Sequence, residues 1–281
     1  MSPSEPTSID RAAIDAQYDP SRRVESRQRF TDWYVRESLL TRESLEGRLD
    51  IPFGPTPAET IDIFPSQSAD SPVLMFIHGG YWRAFSSKEF SFVARGMVPH
   101  GITVAVMNYA LCPQVSIAEI TRQSHAAVDW LRRNAREHHG DPGQIFAAGH
   151  SAGGQQVGML LAADAGRLKG GIAISGVFDL RPLQHSWLQP TLQLTDALAQ
   201  EQSPLLHIPS HAAPLLVTVG GDESEAFLDQ SHRYLTAWRE AGFGAEYLAQ
   251  PGLNHFEAIY GFAEPESVLA RASADFIHTH A

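Results

Sequence analysis

The sequence IFAAGHSAGGQQVGMLLAADA, residues 145–165, decides the fold expected of this 281-residue chain. Its four leading apolar residues predict a short strand buried on both faces, and the run after Gly154 predicts a helix. Between them lies Gly149-His150-Ser151-Ala152-Gly153, a G-x-S-x-G turn. In such a tight turn the serine is strained, and side chains at the two glycine positions would collide with neighbouring backbone. The pattern predicts a strand–turn–helix unit that presents the Ser151 hydroxyl above the carboxyl edge of a sheet.

Further strands are predicted on both sides of this unit. Apolar runs span residues 73–77, 102–107, 171–174 and 215–219. Residues 60–64 alternate apolar and polar side chains, as a half-buried strand does, and 245–248 is a further predicted strand. Segments with helical spacing of apolar residues cover 117–136, 225–241 and 265–278. Strands that alternate with helices of this length are typical of βαβ units. We therefore predict an α/β fold with a mostly parallel central sheet and helices on both faces.

Two segments depart from this alternation. The polar stretch 1–48 predicts an N-terminal helical arm, in which the inward positions are Trp33, Leu39, Leu40 and Leu45. Residues 178–214 contain several prolines and a leucine-rich piece, and they are too long for a simple connection between strands. We interpret 178–214 as an insertion, or lid, within a single domain that covers 1–281.

Composition excludes several classes of function. Hydrophobic residues make up 43% of the chain, which is typical of a folded protein and not of a disordered one. Asp and Glu outnumber Lys and Arg by 32 to 21, so the net charge of −11 disfavours nucleic acid and anionic lipid as partners. Cys112 is the single cysteine, and the 13 histidines are scattered without metal-ligand spacing. We expect no metal and no organic cofactor.

The chain also lacks the patterns that direct proteins to membranes or out of the cell. Its first thirty residues contain no apolar core of a signal peptide, and no run approaches eighteen apolar residues. We expect a cytoplasmic protein that does not associate with membranes and whose substrate is a small molecule. The sequence does not decide between a monomer and a homodimer.

A second motif, His78-Gly79-Gly80-Tyr81-Trp82, follows the apolar run 73–77. Two glycines that leave a strand let backbone N–H groups turn inward without interference from side chains. Together with the N–H of Ala152, at the start of the predicted helix, the N–H groups of Gly79, Gly80 and Tyr81 are candidates for an oxyanion hole. We interpret His78 as a structural residue that shapes the loop.

A nucleophilic serine needs a base and an acid that orients the base. Asp222 lies in Gly220-Gly221-Asp222-Glu223, directly after the apolar run 215–219, and is our candidate acid. His255 lies in a turn-rich loop after the last predicted strand and is our candidate base. If Asp222 does not orient the base, the alternative acids are Glu223, Glu225 and Asp229. An alternative for Asp222 is that it caps the following helix.

These motifs and their order along the chain resemble the α/β-hydrolase fold. Within that fold, HGGYW resembles the loop of the kynurenine formamidase (arylformamidase) group more than the HGGG of hormone-sensitive-lipase-like esterases. The stretches NYALCP, 108–113, and SGVFDL, 175–180, also fit that group. The resemblance covers about residue 50 to the C-terminus. It implies a catalytic triad of Ser151, Asp222 and His255, and cleavage of an aryl formamide.

Several bulky residues are candidates for the walls of a substrate pocket. They are Trp82, Leu183, Trp187 and Leu192. With Tyr81 beside the serine, they predict a small acyl side and an aromatic leaving group. Three functions remain open at this point: an arylformamidase, a general short-chain or aryl carboxylesterase, and a binding protein without activity. The three candidate triad residues count against the last, because a receptor has no chemical need for all of them.

Overall fold

The computed structural model describes residues 10–163 and 166–281, which contain one eight-stranded sheet. The strands are β1 (Arg48–Pro52), β2 (Thr60–Phe64), β3 (Ser71–Ile77), β4 (Thr103–Met107), β5 (Gly140–His150), β6 (Gly170–Ile174), β7 (Leu215–Gly220) and β8 (Ala245–Gln250). Their order across the sheet is β1-β2-β4-β3-β5-β6-β7-β8. Only β2 runs antiparallel to its neighbours β1 and β4, and every other pair is parallel. The predicted mostly parallel sheet is confirmed.

Helices cover both faces of the sheet, as predicted. The α-helices of the described residues are α1 (Arg11–Tyr18), α2 (Gln28–Ser44), α3 (Phe92–Met97), α4 (Ile117–Asn134), α5 (Ala152–Ala162), α6 (Gln189–Leu192), α7 (Asp196–Glu201), α8 (Glu225–Glu240) and α9 (Val268–His280). Side chains of one strand alternate between two cores. In β3, Met75 packs in a core with residues of α4, α5 and α8, whereas Phe76 packs in a second core with residues of α3 and α9.

Two short polar sequences start the helices nearest the sheet's carboxyl edge. Ser116 accepts a hydrogen bond from the Glu119 N–H at the start of α4, and Ser224 does the same for Phe227 at the start of α8. Such caps satisfy N–H groups that the first helical turn leaves without partners. The caps therefore fix where α4 and α8 begin, after the loops that follow β4 and β7.

The N-terminal arm is helical only in part. Residues 1–9 of the predicted arm lie outside the described residues. The remainder forms α1 and α2, and a connection that includes Pro20 separates them. Trp33 and Leu45 pack against the core, but Leu39 and Leu40 are exposed by 48% and 44%, so the inward prediction was wrong for these two.

The arm crosses the carboxyl edge of the sheet from one face to the other. Tyr18, at the end of α1, belongs to the core that contains α8, and Tyr34 of α2 belongs to the opposite core. The Tyr34 hydroxyl donates to the Phe256 carbonyl at 2.6 Å, and the Ser224 hydroxyl donates to the Gln17 carbonyl at 2.6 Å. The connection between the two helices therefore lies over the loops that follow the strands.

Residues 178–214 fold into short helical pieces, among them α6 and α7. Leu180, Leu183, Leu188 and Leu192 are buried and belong to the core that contains α8. The leucine-rich character noted in the sequence thus serves packing. That the segment moves as a lid stays a prediction.

Candidate active site

Ser151 occupies a strained turn between β5 and α5. Its backbone has φ 57° and ψ −115°, a conformation that side chains disfavour. A Cβ atom at Gly149 would overlap the Gly153 carbonyl oxygen, and one at Gly153 would overlap the carbonyl oxygen of Ile77. Both glycines are therefore required sterically, as the sequence pattern predicts.

The base candidate lies beside the serine. His255 follows β8, is 5% exposed, and its Nε2 accepts a hydrogen bond from the Ser151 hydroxyl at 3.0 Å. The Phe227 ring lies 4.5 Å from the imidazole and shields it from solvent on one side. In this arrangement the imidazole can take the hydroxyl proton while the serine oxygen attacks.

The acid that contacts His255 is Glu223, and the prediction of Asp222 was wrong. His255 Nδ1 donates to Glu223 Oε2 at 2.5 Å. The other carboxylate oxygen accepts from the Ser175 hydroxyl at 2.5 Å and from the Gly220 N–H at 2.8 Å. The Glu223 side chain has no solvent exposure, whereas Asp222 is exposed.

The turn after β7 explains why the acid is one residue later. The chain reverses there, because the Glu223 N–H donates to the Gly220 carbonyl at 3.2 Å. Glu223 then lies beneath the loop of His255, and its longer side chain spans the distance back to the imidazole. Asp222 is fixed at the surface by its own N–H, which donates to the Leu253 carbonyl at 3.0 Å. Glu223 was among the alternative acids, but nothing in the local sequence distinguishes it from Asp222.

His150, the variable residue of the G-x-S-x-G motif, was not predicted to have a role. It is buried, and its Nε2 donates to the His255 backbone carbonyl at 2.8 Å. Burial, reinforced by the nearby His255 imidazole, lowers the pKa of His150 well below its ordinary value. A neutral His150 therefore helps to hold the loop of His255 in place.

The loop after β3 approaches the serine closely. A Cβ atom at Gly79 would lie 3.1 Å from the Ser151 Cβ and 2.9 Å from the His150 carbonyl oxygen. Gly80 has φ +104°, which favours glycine, and Tyr81 has φ 51°. The Tyr81 hydroxyl donates to the Tyr18 carbonyl at 2.5 Å, which ties this loop to the N-terminal arm.

The close approach of Gly79 yields a testable expectation. We expect Gly79→Ala to lower kcat/KM about a hundredfold, because the added methyl would push the loop and its N–H groups away from the reacting carbonyl. Steady-state kinetics on any cleaved substrate measures the effect. Gly244→Ala is the matched control, since a Cβ there would meet only Pro214, at 3.6 Å. Equal kinetics for the two variants would show that the loop tolerates the methyl and plays no such part.

His78 shapes the same loop from the interior, as predicted. Its ring stacks on Tyr109 at 4.1 Å, and its Nδ1 donates to the Gly79 carbonyl at 2.8 Å. Its Nε2 is buried without a partner among the described residues. Burial is the main cause that lowers the pKa of His78 to about 4, although the bond to Gly79 opposes it.

This burial makes stability depend on pH. An unfolded histidine titrates near pH 6.5, so between pH 6.5 and about 4 the unfolded chain binds the proton and folded His78 does not. We expect the free energy of unfolding to fall by about 1 kcal/mol per pH unit from pH 6.5 to 5, with His150 adding in the same direction. Urea denaturation measures the slope, and His78→Asn should reduce it. An unchanged slope in that variant would contradict the assignment; the exposed His232→Asn is the control.

A cavity of about 370 Å³ opens over the serine. It is lined by Asp19, Pro20, Ser21, Arg27, Tyr34, Gly79, Gly80, Tyr81, Arg83, Ala84, Phe85, Phe90, His150, Ser151, Trp187, His255 and Phe256. The connection between α1 and α2 thus supplies four of the seventeen described residues that line it. This contribution was missed because the arm's polar sequence indicates only a surface position.

Most of the predicted wall residues do not line this cavity. Leu183 and Leu192 are core residues, and Trp82 is fully buried with its Nε1 donating to Gln155 at 3.1 Å. The prediction was wrong for these three, because a bulky residue near the site in sequence can equally turn into the core. Trp187 does lie against the cavity.

The described residues contain neither a candidate metal site nor a candidate membrane span. Among residues 10–163 and 166–281, His, Cys, Asp and Glu form no group of three or more that could hold a metal ion. Within the same ranges, none of the helices combines the length and the apolar character needed to cross a bilayer.

Comparison with known proteins identifies the family of this chain. A family model described as the alpha/beta hydrolase fold matches residues 74–258, more than half of the chain. The chain is 26% identical to a kynurenine formamidase of Danio rerio, over 94% of this chain and 95% of that protein. It is 27% identical to one of Salmo salar, over 75% of each.

One similar protein of solved structure has a different described activity. It comes from Silicibacter sp. TM1040 and is provisionally described as a thioesterase. It is 31% identical, covers 92% of this chain and 97% of its own, and superposes with a TM-score of 0.82. The resemblance inferred from the motifs is confirmed, and this chain belongs to the α/β-hydrolase fold family.

Proposed function

We propose that this protein is an arylformamidase, a serine hydrolase that removes a formyl group from an aromatic amine such as N-formylkynurenine. The observation that carries the proposal is the hydrogen-bonded chain from Ser151 through His255 to Glu223 at the floor of an aromatic-lined cavity. The kinship with two kynurenine formamidases supports the choice of substrate.

Acylation follows from the positions of these side chains. His255 Nε2 takes the Ser151 proton as Oγ bonds to the formyl carbon, and the carbonyl oxygen becomes an oxyanion. Glu223 holds the imidazole in the tautomer with the proton on Nδ1 and stabilises the imidazolium. The candidate donors to the oxyanion are the N–H groups of the Gly79–Tyr81 loop and of Ala152, at the first turn of α5.

Release of the two products uses the same residues in reverse. The carbon–nitrogen bond breaks as the His255 imidazolium gives its proton to the leaving arylamine. Water then attacks the formyl ester on Ser151 while His255 takes one of its protons. Formate leaves and the serine recovers its proton from His255.

The cavity favours a flat, aromatic leaving group. Tyr34, Phe85, Phe90, Trp187 and Phe256 line it, and rings of this kind bind an aryl group by stacking and by excluding water. Its volume of about 370 Å³ lies toward the small end for a ligand site. A formyl or acetyl group beside an aryl ring suits this space better than a long acyl chain.

A carboxylesterase or thioesterase is the second candidate function. The Silicibacter relative favours it, because its description names thioester cleavage and not amide cleavage. The same triad would cleave an aryl ester more easily, since a phenolate leaves without needing a proton. The two candidate functions therefore differ in the leaving group of the substrate, which is an amine for the formamidase and an oxygen or sulfur for the esterase or thioesterase.

A kinetic comparison of substrates tests the proposed function. We expect kcat/KM for N-formylkynurenine to exceed that for p-nitrophenyl acetate, and p-nitrophenyl octanoate to be cleaved at least about tenfold more slowly than the acetate. Hydrolysis of N-formylkynurenine no faster than of the acetate would reject the formamidase and leave the esterase. A preference for octanoate would reject the small acyl side in both.

Two further expectations from the sequence stay predictions. A cytoplasmic location would be checked by fractionation of the native host. A homodimer would be checked by light scattering of the purified protein.

A further inference from the structure

We propose that Arg27 and Arg83 form a carboxylate-binding site at the mouth of the cavity, so that the preferred substrates carry a negative charge on the leaving arylamine. This inference rests on the proposed function. It adds a determinant of specificity that neither the triad nor the oxyanion loop supplies.

The two arginines reach one cavity from separate parts of the chain. Arg27 precedes α2 in the N-terminal arm, and Arg83 lies in the loop after the HGGYW motif. Both line the cavity that contains Ser151. Sequence reasoning gave no signal for this pair, because the arm and the loop meet only through the fold.

Each guanidinium lies over an aromatic ring of the same cavity. The Arg27 guanidinium lies 5.7 Å from the centre of the Phe85 ring, and that of Arg83 lies 5.3 Å from the centre of the Trp187 ring. Cation–π contacts of this kind orient a guanidinium while leaving its N–H groups free for a ligand. The rings that suit the aryl part of a substrate therefore also position the two charges.

The positive charge of this pair is not balanced by the protein. Within the described part of the chain, neither Arg27 nor Arg83 forms an ion pair with a carboxylate. Of the described residues that line the cavity, only Asp19 is acidic, and it accepts from Ser21 and pairs with Arg22 at 3.3 Å. In a chain of net charge −11, two arginines at one cavity mouth form a local site for an anion.

The size of the acyl group determines which part of the substrate carries the anion. A formyl group carries only hydrogen on its carbonyl carbon, so a charged substituent recognised in this cavity has to be part of the leaving arylamine. A carboxylate is the matching ligand, because its two oxygens accept from the forked donors of a guanidinium. Since both arginines are exposed to solvent, we expect each to contribute about threefold to kcat/KM, which makes about tenfold for the pair.

The test compares two formamides that differ only in charge. One is N-formylkynurenine, and the other is its α-carboxamide, which has the same aryl formamide and the same ammonium group. We expect wild-type kcat/KM to favour the carboxylate at least about tenfold. Arg27→Gln and Arg83→Gln should each reduce this ratio, and the double variant should bring it near one. Arg133→Gln, an exposed arginine of α4 outside the cavity, is the matched control and should keep the wild-type ratio.

The possible outcomes separate this inference from the proposed function. A wild-type ratio near one, or a double variant that keeps the wild-type ratio, overturns the carboxylate site while cleavage of both formamides upholds the formamidase. Failure to cleave either formamide, with p-nitrophenyl acetate still cleaved, overturns both. Added salt supplies an independent readout, because screening of the two arginines should lower the ratio of kcat/KM for the carboxylate to kcat/KM for the carboxamide.

Discussion

Replacing Ser151 with alanine is expected to lower kcat/KM at least about a thousandfold while the protein stays folded. The variant loses the nucleophile, and with it the covalent route, but alanine differs by a single oxygen and fits the same turn. Steady-state kinetics gives the loss, and circular dichroism reports the fold. Labelling by a fluorophosphonate should fall to background in the same variant, because no other hydroxyl lies against His255 Nε2 among the described residues.

Ser273→Ala is the matched control for this experiment. Ser273 lies in α9, is buried, and its hydroxyl has no hydrogen-bond partner among the described residues. Its removal should leave both activity and labelling as in the wild type. Near wild-type turnover in Ser151→Ala would mean that another group attacks the substrate.

The second large effect is expected at Glu223. The variant Glu223→Gln should lower kcat by about a thousand- to ten-thousandfold. Its amide oxygen can still accept from Ser175 and Gly220, which leaves the amide NH₂ facing His255 Nδ1. That contact favours the tautomer with the proton on Nε2, which cannot accept the proton of Ser151. The loss should therefore appear in kcat for every substrate, whatever its leaving group.

Asp222→Asn is the neighbouring control, and it also tests the correction of the sequence-based triad. Asp222 is exposed and holds its place through its backbone N–H, so kcat should stay within a few-fold of wild type. If instead Asp222→Asn abolished activity and Glu223→Gln did not, the arrangement of the acid would be other than described. Thermal melting of both variants separates a catalytic loss from an unfolded protein.

The fold was predictable because each buried strand has a local signal. The apolar runs 73–77 and 215–219 lie within β3 and β7, and the G-x-S-x-G pattern requires its strand–turn–helix context. The edge strand β1 was missed, and the predicted helical arm ended at its first residue, Arg48. Its residues Arg48–Pro52 are mostly exposed, so it lacks the alternation that identifies a half-buried strand.

The site residues were predictable where the order of strands in the sheet alone determines their positions. Ser151 and His255 each follow a strand end, so their meeting follows from the parallel sheet. The choice between Asp222 and Glu223 depends on one backbone hydrogen bond in a turn, to which both residues are adjacent. The inward or outward direction of Trp82 depends on Gln155, which is distant in sequence. Such contacts join residues that are distant in sequence and depend on packing, so a single sequence does not predict them.

The crossing of the arm over the sheet's carboxyl edge has a consequence for how the protein is made. Residues near the start of the chain, Gln17 and Tyr34, bond to Ser224 and Phe256, more than two hundred positions away. During synthesis the arm leaves the ribosome before these partners, yet it cannot take its place until Ser224 and Phe256 have been translated. The part of the cavity wall that the arm supplies is therefore completed late, after the loop that contains Phe256 has been made.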